Sequence, residues 1–417
     1  MPNGVIVLRK LTIAGFKSIR SQSIDLGRVT ILIGQNGAGK SNVLEAIGML
    51  SAASAGNVTY ESLNSRGLRL STPSVYKSAL KGGGHRPKYF DLSAEQDNLK
   101  YHANLFTSTD EESPQWTFHS ESVWKKNSKK DNSWSKIAGR SGKGITIDGK
   151  SNDKATLRKT DSVIPALELL GSLPKTEQDS IDLLKNFVIY APTTNVLRGV
   201  DTDNRIKSPL GLTGGGLVKA VSDVFQAGHS KDFKRFFQIL SWYHAISIAR
   251  PSTKLKNPLF GGGDRVLAFT DQFMVQDFNK LYSYDVSEGA LYVVFMLTLL
   301  LHSHAPKFFA IDNIDTALNP GLIRNLIQHI AELSEEWDRQ VILTTHNPAA
   351  LDALDIFDTN YALYIVDRGV TGATELTRIK PPDSMTREQW EEQTGGARLS
   401  ELWLEGFLGG ITPPSSF

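Results

Sequence analysis

Several groups of residues in this chain have the types and spacing to handle a phosphorylated ligand. The stretch "GQNGAGKS" fits the pattern G-x-x-x-x-G-K-[ST]. Gly34, Gln35, Asn36, Gly37, Ala38 and Gly39 are expected to curl so that backbone N–H groups point at phosphate oxygens, and Asn42 directly follows the motif. Lys40 puts an ammonium near β- and γ-phosphates, and the Ser41 hydroxyl suits magnesium. "KFFAID" is an apolar run ending in Asp312, and a carboxylate at a strand end beside such a loop ligates Mg2+ directly or through water. "QVILTTH" ends another such run in His346; a lone histidine at a strand end is more often structural, but after the magnesium aspartate an imidazole here could contact a γ-phosphate. Ser287, Glu288 and Gly289 open an apolar helix, whose first N–H groups favour an anion. Taken alone, that triplet is an ordinary cap, with Ser287 as N-cap and Glu288 complementing the dipole.

These side chains need elements to hold them. "SIDLGRVTILIG" has strand character, and "KSNVLEAIGML" has helical spacing at Val43, Leu44, Ile47 and Leu50, so strand, loop and helix follow in the required order. After residue 285 an apolar helix, the strand "KFFAID", the helix "PGLIRNLIQHIAELSEEW" and the strands "QVILTTH" and "NYALYIVDR" alternate, which predicts a parallel α/β core. Residues 89–159 break into short strand-like pieces, predicting an antiparallel hairpin extension. The fold class expected is α/β: a P-loop NTPase with a mixed sheet, an antiparallel β extension and a helical lobe. Its expected divisions are an N-terminal lobe over 1–165, a mainly helical lobe over 166–284 and a C-terminal lobe over 285–417.

Composition limits the alternatives. The chain has 417 residues, 40% of them apolar and 22% charged, as in ordinary globular proteins. Lys and Arg number 46 against 44 Asp and Glu, so overall charge points to neither nucleic acid nor membrane. The absence of cysteine excludes disulfides, thiol nucleophiles and cysteine-ligated zinc. No basic segment followed by an apolar run opens the chain, and "ALYVVFMLTLLL" is too short to span a bilayer, so a soluble cytoplasmic protein with no membrane partner is expected.

In this order the motifs resemble the ABC-type ATPase head shared by the RecF, SMC and OLD (overcoming-lysogenization-defect) proteins. Ser287 to Gly289 stand where that family has its signature motif, "DTALNP" is similar to its D-loop, His346 to its switch histidine and "AGFKSI" to its opening strand. "YAPTTNVLRG" and "LSELWLEGFLGG" resemble stand-alone OLD-like (AAA-type) ATPases of bacterial phage-defence operons. The resemblance implies ATP and Mg2+ as cofactors. It also implies a homodimer or higher homo-oligomer, in which each ATP is held between one P-loop and the partner's signature triplet. A sensor or regulatory scaffold for a separate effector, expected to be a nuclease, is the role implied. The alternatives are a RecF-like DNA-repair ATPase binding DNA directly, and an ATP-binding scaffold with negligible turnover.

The chain departs from the family twice. Asn313 occupies the usual position of a catalytic glutamate, and losing a general base costs about 10²–10⁴ in rate. Asp315 could substitute if the chain stays extended, or Glu288 could arrive from a partner, so slow hydrolysis by a set comprising Lys40, Asn313, Asp315 and His346 is expected. Secondly, the segment beyond about residue 380 is too short for the nuclease fused in some OLD proteins, and no heptads long enough for an SMC coiled coil occur.

One further stretch is charged. Lys125, Lys126, Lys129, Lys130, Lys136, Arg140, Lys143, Lys150, Lys154, Arg158 and Lys159 face only Asp131, Asp148 and Asp153, with Trp124 and Trp134 among them. It reads first as a solvated hairpin tip; DNA or RNA binding through 125–159 is the alternative.

Overall fold

The computed structural model describes residues 6–81, 86–107, 115–127, 133–141, 144–152, 157–171, 173–203, 209–252 and 265–408. Strand β1 spans Leu8–Phe16, β2 Ile19–Asp25 and β3 Val29–Ile33. β3 reads Val-Thr-Ile-Leu-Ile and is buried at every position, as a central strand covered on both faces must be. It lies in a six-stranded sheet of order β10-β14-β15-β3-β16-β17, where β10 is Val188–Tyr190, β14 Phe308–Ile311, β15 Gln340–Thr345, β16 Tyr361–Arg368 and β17 Thr374–Ile379. The pairings are parallel up to β16, and β17 returns antiparallel.

Alternation along these strands assigns each side chain to one of two cores. Val29, Ile31 and Ile33 join Phe309, Ile311, Val341 and Leu343 in one cluster. Leu32, Phe308, Ala310 and Ile342 join the other. Period-two alternation therefore builds a sheet packed on both sides. On the first side lie α5 (Thr194–Arg198), α6 (Leu217–Gln226), α7 (Ser230–Phe237), α8 (Glu288–Leu301) and α9 (Pro320–Glu336). α8 is buried throughout from Ala290 to Leu301, so its lack of a polar face reflects a central position rather than a membrane. Among the described residues no helix is long and apolar enough to cross a membrane.

The other side carries α1 (Lys40–Ser54), α2 (Tyr60–Asn64), α3 (Ile164–Leu169), α4 (Lys175–Lys185) and an eight-stranded antiparallel sheet. Its order is β2-β1-β4-β5-β6-β7-β8-β9, adding β4 (Tyr89–Gln96), β5 (Leu99–Thr107), β6 (Trp116–Lys126), β7 (Trp134–Ser141), β8 (Gly144–Ile147) and β9 (Lys150–Asn152). The strands expected as a hairpin extension are thus continuous with β1, because β1 pairs with β4 although β2, β3, α1 and α2 lie between them in sequence. Gln340 joins the two sheets: 1% exposed, it accepts from Leu8 N and donates to the carbonyls of Leu8 and Gly27. Glu121 of β6 is 1% exposed and accepts from Tyr101, Ser162 and the Val163 N–H, and burial pushes its carboxyl up to about 7.

The stretch 166–284, expected to be mainly helical, is mixed. β10 belongs to the central sheet, and β11 (Tyr243–Ala249), β12 (Val266–Asp271) and β13 (Lys280–Tyr282) form a third, antiparallel sheet. Phe269 and Ile246 pack into the main core while Ala268 and Tyr282 cover the opposite face, so short alternating runs close on one another rather than coiling. At the C-terminal end α10 (Arg387–Thr394) and α11 (Leu399–Leu404) finish the described chain, with Trp403 of α11 in the main core.

Candidate nucleotide-binding site

The loop 34–39 joins the buried end of β3 to α1. Its glycines are required locally. A Cβ at Gly34 would sit 2.0 Å from the Val366 carbonyl oxygen, and Gly39, at φ 113°, would drive one to 2.1 Å from Thr374 Oγ1. Gln35, Asn36 and Gly37 are exposed while Ala38 is buried, so the loop offers its tip to solvent and anchors its base. Gly39 takes the N-cap position of α1 with no capping side chain, leaving the first turn's N–H groups to an anion.

Lys40 is 6% exposed, and its ammonium donates to the carbonyls of Gly34 (2.7 Å) and Gln35 (3.0 Å). Burial lowers this ammonium from its usual range, and the nearby Asp312 and Asp315 carboxylates offset part of the effect. Ser41 Oγ donates to Asp312 Oδ2 at 2.9 Å, and Thr344 Oγ1 donates to Asp312 Oδ1 at 2.5 Å. A hydroxyl and a carboxylate in contact at the mouth of a phosphate loop suit Mg2+, which takes oxygen ligands, few of them from protein. Ser41 and Asp312 are the side chains that would hold it, supplying charge neutralisation on phosphate oxygens.

The segment after Asp312 does not stay extended, contrary to what a base role for Asp315 needs. Asn313 adopts φ 57°, and its N–H is held by Thr344 Oγ1 at 2.8 Å. Asn is among the few non-glycine residues that accept this conformation readily, which gives position 313 a backbone reason for its amide. The turn sends Asp315 inward, to 8% exposure. Its Oδ2 accepts the His346 N–H at 3.1 Å and lies 2.9 Å from His346 Nδ1, while Oδ1 is buried without a partner. Asp315 therefore holds His346 at both its backbone N–H and its Nδ1. With Nδ1 held, Nε2 is the free nitrogen of a side chain that is 55% exposed.

Ser287 is the N-cap residue of α8 but makes no side-chain cap, against the ordinary-cap expectation. Ser287 and Glu288 are exposed, and the helix start remains open. A Cβ at Gly289 would meet the Ala317 carbonyl oxygen at 3.2 Å, so the triplet lies against the segment 315–320. That segment ends in Asn319, which caps α9 by accepting from Leu322 N, with Pro320 at the first helical position. Ser287–Gly289 thus shares a face with Ala317 and Leu318, whereas Lys40, Ser41, Asp312, Asp315 and His346 converge around the loop.

Residues with no motif brace the loop. Thr374 Oγ1 donates to the Ala38 carbonyl at 2.8 Å and lies 2.7 Å from Ser18 Oγ, which in turn accepts from Asn42. Arg368 donates to the Gly37 carbonyl at 2.9 Å. A cavity of about 520 Å³ opens beside them, lined by Lys17, Ser18, Asn42, Arg69 and Arg368. Glu45, 2% exposed, pairs with both Lys17 and Arg69.

The basic stretch is thinner than its sequence. Lys129, Lys130, Asp131, Lys143, Asp153 and Lys154 lie outside the described residues. Arg140 is 9% exposed and spends its donors on the carbonyls of Arg158 and Asp161, and Arg158 pairs with Asp161. Lys126 sits 5.8 Å over the Trp134 ring.

A family model described as "AAA domain" matches residues 10–191, and one described as "AAA domain, putative AbiEii toxin, Type IV TA system" matches residues 219–352. Among solved structures, an Smc head bound to the C-winged helix domain of ScpA superposes with a TM-score of 0.52 at 17% identity, covering 91% of this chain and 99% of that one. The fold is that of an SMC-type ATPase head. A second such head, with an extended coiled coil and bound to the C-terminal domain of ScpA derived from Pyrococcus furiosus, gives 0.50 at 14% identity, covering 93% of this chain and 100% of that one. No curated protein matches the chain. The head fold accounts for the layers seen here: a central mostly parallel sheet, an antiparallel sheet over α1, and helices on the opposite face.

Proposed function

We propose that this head binds ATP with Mg2+, pairs with a second copy through the nucleotide, hydrolyses it slowly, and acts as a sensor or regulatory scaffold for a separately encoded effector. The observation that carries ATP binding is the convergence of Lys40, Ser41 and Asp312 at the uncapped start of α1. Pairing is supported by the open, exposed start of α8 beside residues 317–318, since an uncapped helix terminus on a surface suits a phosphate brought by another molecule. Slow turnover is supported by the absence of an acidic base at 313 and the engagement of Asp315 by His346. Lys40 would hold the β- and γ-phosphates, Ser41 and Asp312 the metal, and His346 Nε2 the γ-phosphate or the attacking water.

An effector role rests on the toxin–antitoxin description of the model matching 219–352, and on the head-with-partner arrangement named for the solved Smc heads. Anti-phage defence with a nuclease effector is the specific form we favour. Copurification of the products of adjacent genes with the wild-type chain, lost for Lys40→Ala, is expected. Recovery of no neighbouring product, or equal recovery with Lys40→Ala, would count against the effector role. Steady-state turnover is expected well below ten per second, near the low end of ordinary enzyme rates. Negligible turnover with ATP retained intact would favour a pure binding scaffold, for which the inward turn of Asp315 is the supporting observation.

A further inference from the structure

A cavity of about 730 Å³ lies between α5, one face of α6 along its length and the ends of β11 and β12, and the nucleotide site makes no use of it. Arg198, Lys219, Arg250 and Arg265 line it, and among the described lining residues Asp223 brings the only carboxylate. Asp223 is already engaged, at 4.0 Å from Lys219 and 3.6 Å from His302. Among the described residues the Arg198 Nε is buried with no hydrogen-bond partner, a costly position for a cationic donor. α6 also begins at this wall without a side-chain cap, adding partial positive charge. Leu197, Ile248 and Val266 add apolar wall, and Ser222, Gln226 and Ser283 add neutral polar groups.

We propose that this cavity is a second anion site, which takes a small phosphorylated ligand of nucleotide size carrying at least two phosphate groups. Its volume falls within the range of small-molecule pockets, about 300–1,000 Å³. Guanidinium forks match phosphate oxygens in pairs, and apolar walls suit a base or sugar face. Arg198 also reaches the carbonyl of Val286, at 3.5 Å, directly before Ser287, so one side chain touches both the cavity and the start of α8.

The test uses the full chain carrying Lys40→Ala, so that the P-loop site and its proposed function are set aside. Inorganic pyrophosphate and ADP are titrated by calorimetry. One equivalent of binding is expected to persist, and Lys219→Glu or Arg265→Glu, both at exposed positions, to weaken it at least tenfold with the melting temperature unchanged. Arg198→Lys, which keeps charge but loses the fork, is expected to weaken it less than Arg198→Met. No binding in the Lys40→Ala chain, or equal affinity after both charge reversals, would overturn the site. A single-stranded oligonucleotide that displaces pyrophosphate, and binds more tightly through the same residues, would overturn the small-molecule assignment.

Discussion

Asn313 stands where the resembling family has a glutamate, with a left-handed backbone at φ 57° and its N–H tied to Thr344. Four expectations follow at this scale. Asn313→Glu should lower folding stability by about 1 kcal/mol, because a longer side chain lacks asparagine's tolerance for that conformation, and urea unfolding measures it. Asn313→Ala should change ATP turnover less than about threefold, since an amide is no base; a hundredfold loss in a phosphate-release assay would show that the amide positions the water. His346→Ala should reduce turnover roughly tenfold to a hundredfold with ATP affinity little changed. Asp315→Asn should do so less severely and alter the pH profile, because it removes only the partner that fixes the imidazole. An unchanged pH profile for Asp315→Asn would contradict the orienting role. Lys40, Ser41 and Asp312 were legible from sequence because a phosphate loop fixes its glycines and lysine at set offsets. Asp315 is harder to read: a two-residue offset reveals direction only if the backbone is extended, and Asn313 takes a positive φ.

Elements decide how rigidly the loop is held. β16 and β17 form the brace, through Arg368 to Gly37 and Thr374 to Ala38 and Ser18. Thr374→Val should weaken ATP binding by about 1 kcal/mol, roughly fivefold in Kd, with the melting temperature nearly kept, as equilibrium dialysis would read. This brace was invisible in the sequence, since a threonine in a strand is unremarkable and Ser18 lies 356 residues from Thr374. β3, β14, β15 and β16 are readable because each is a short apolar run bounded by turns; β17, with Glu375 and Arg378 in it, is not, and neither is the joining of β1 to β4, because register between distant strands leaves no local mark. β5 and β6 add a pH-dependent feature. Glu121 titrates near 7 in the folded protein against an ordinary 4.5, so the folded state holds its proton more tightly than the unfolded chain. Its stabilising contribution is complete below about pH 4.5 and is lost as pH rises through about 7, a change of roughly 3 kcal/mol at most. Urea midpoints should therefore fall more between pH 5 and 8 for the wild type than for Glu121→Gln; parallel profiles would contradict it.

At the scale of the whole molecule, the proposed pairing would use two separate surfaces. The P-loop side is complete within one chain, with Lys40, Ser41 and Asp312 converging. The start of α8 is open and lies with Ala317 and Leu318 on one surface. Sequence order alone suggested this division, and the structure adds that Ser287 does not cap its own helix. Mass measured by light scattering with and without Mg-ATP tests the pairing most directly, using the wild type, Lys40→Ala and Ser287→Arg. The wild type is expected to move from 45.9 kDa to twice that value when ATP is added. Lys40→Ala should stay monomeric for want of nucleotide, and Ser287→Arg should stay monomeric while still binding ATP. A mass independent of ATP, or an ATP-driven doubling that survives in Ser287→Arg, would contradict nucleotide-mediated pairing through this face.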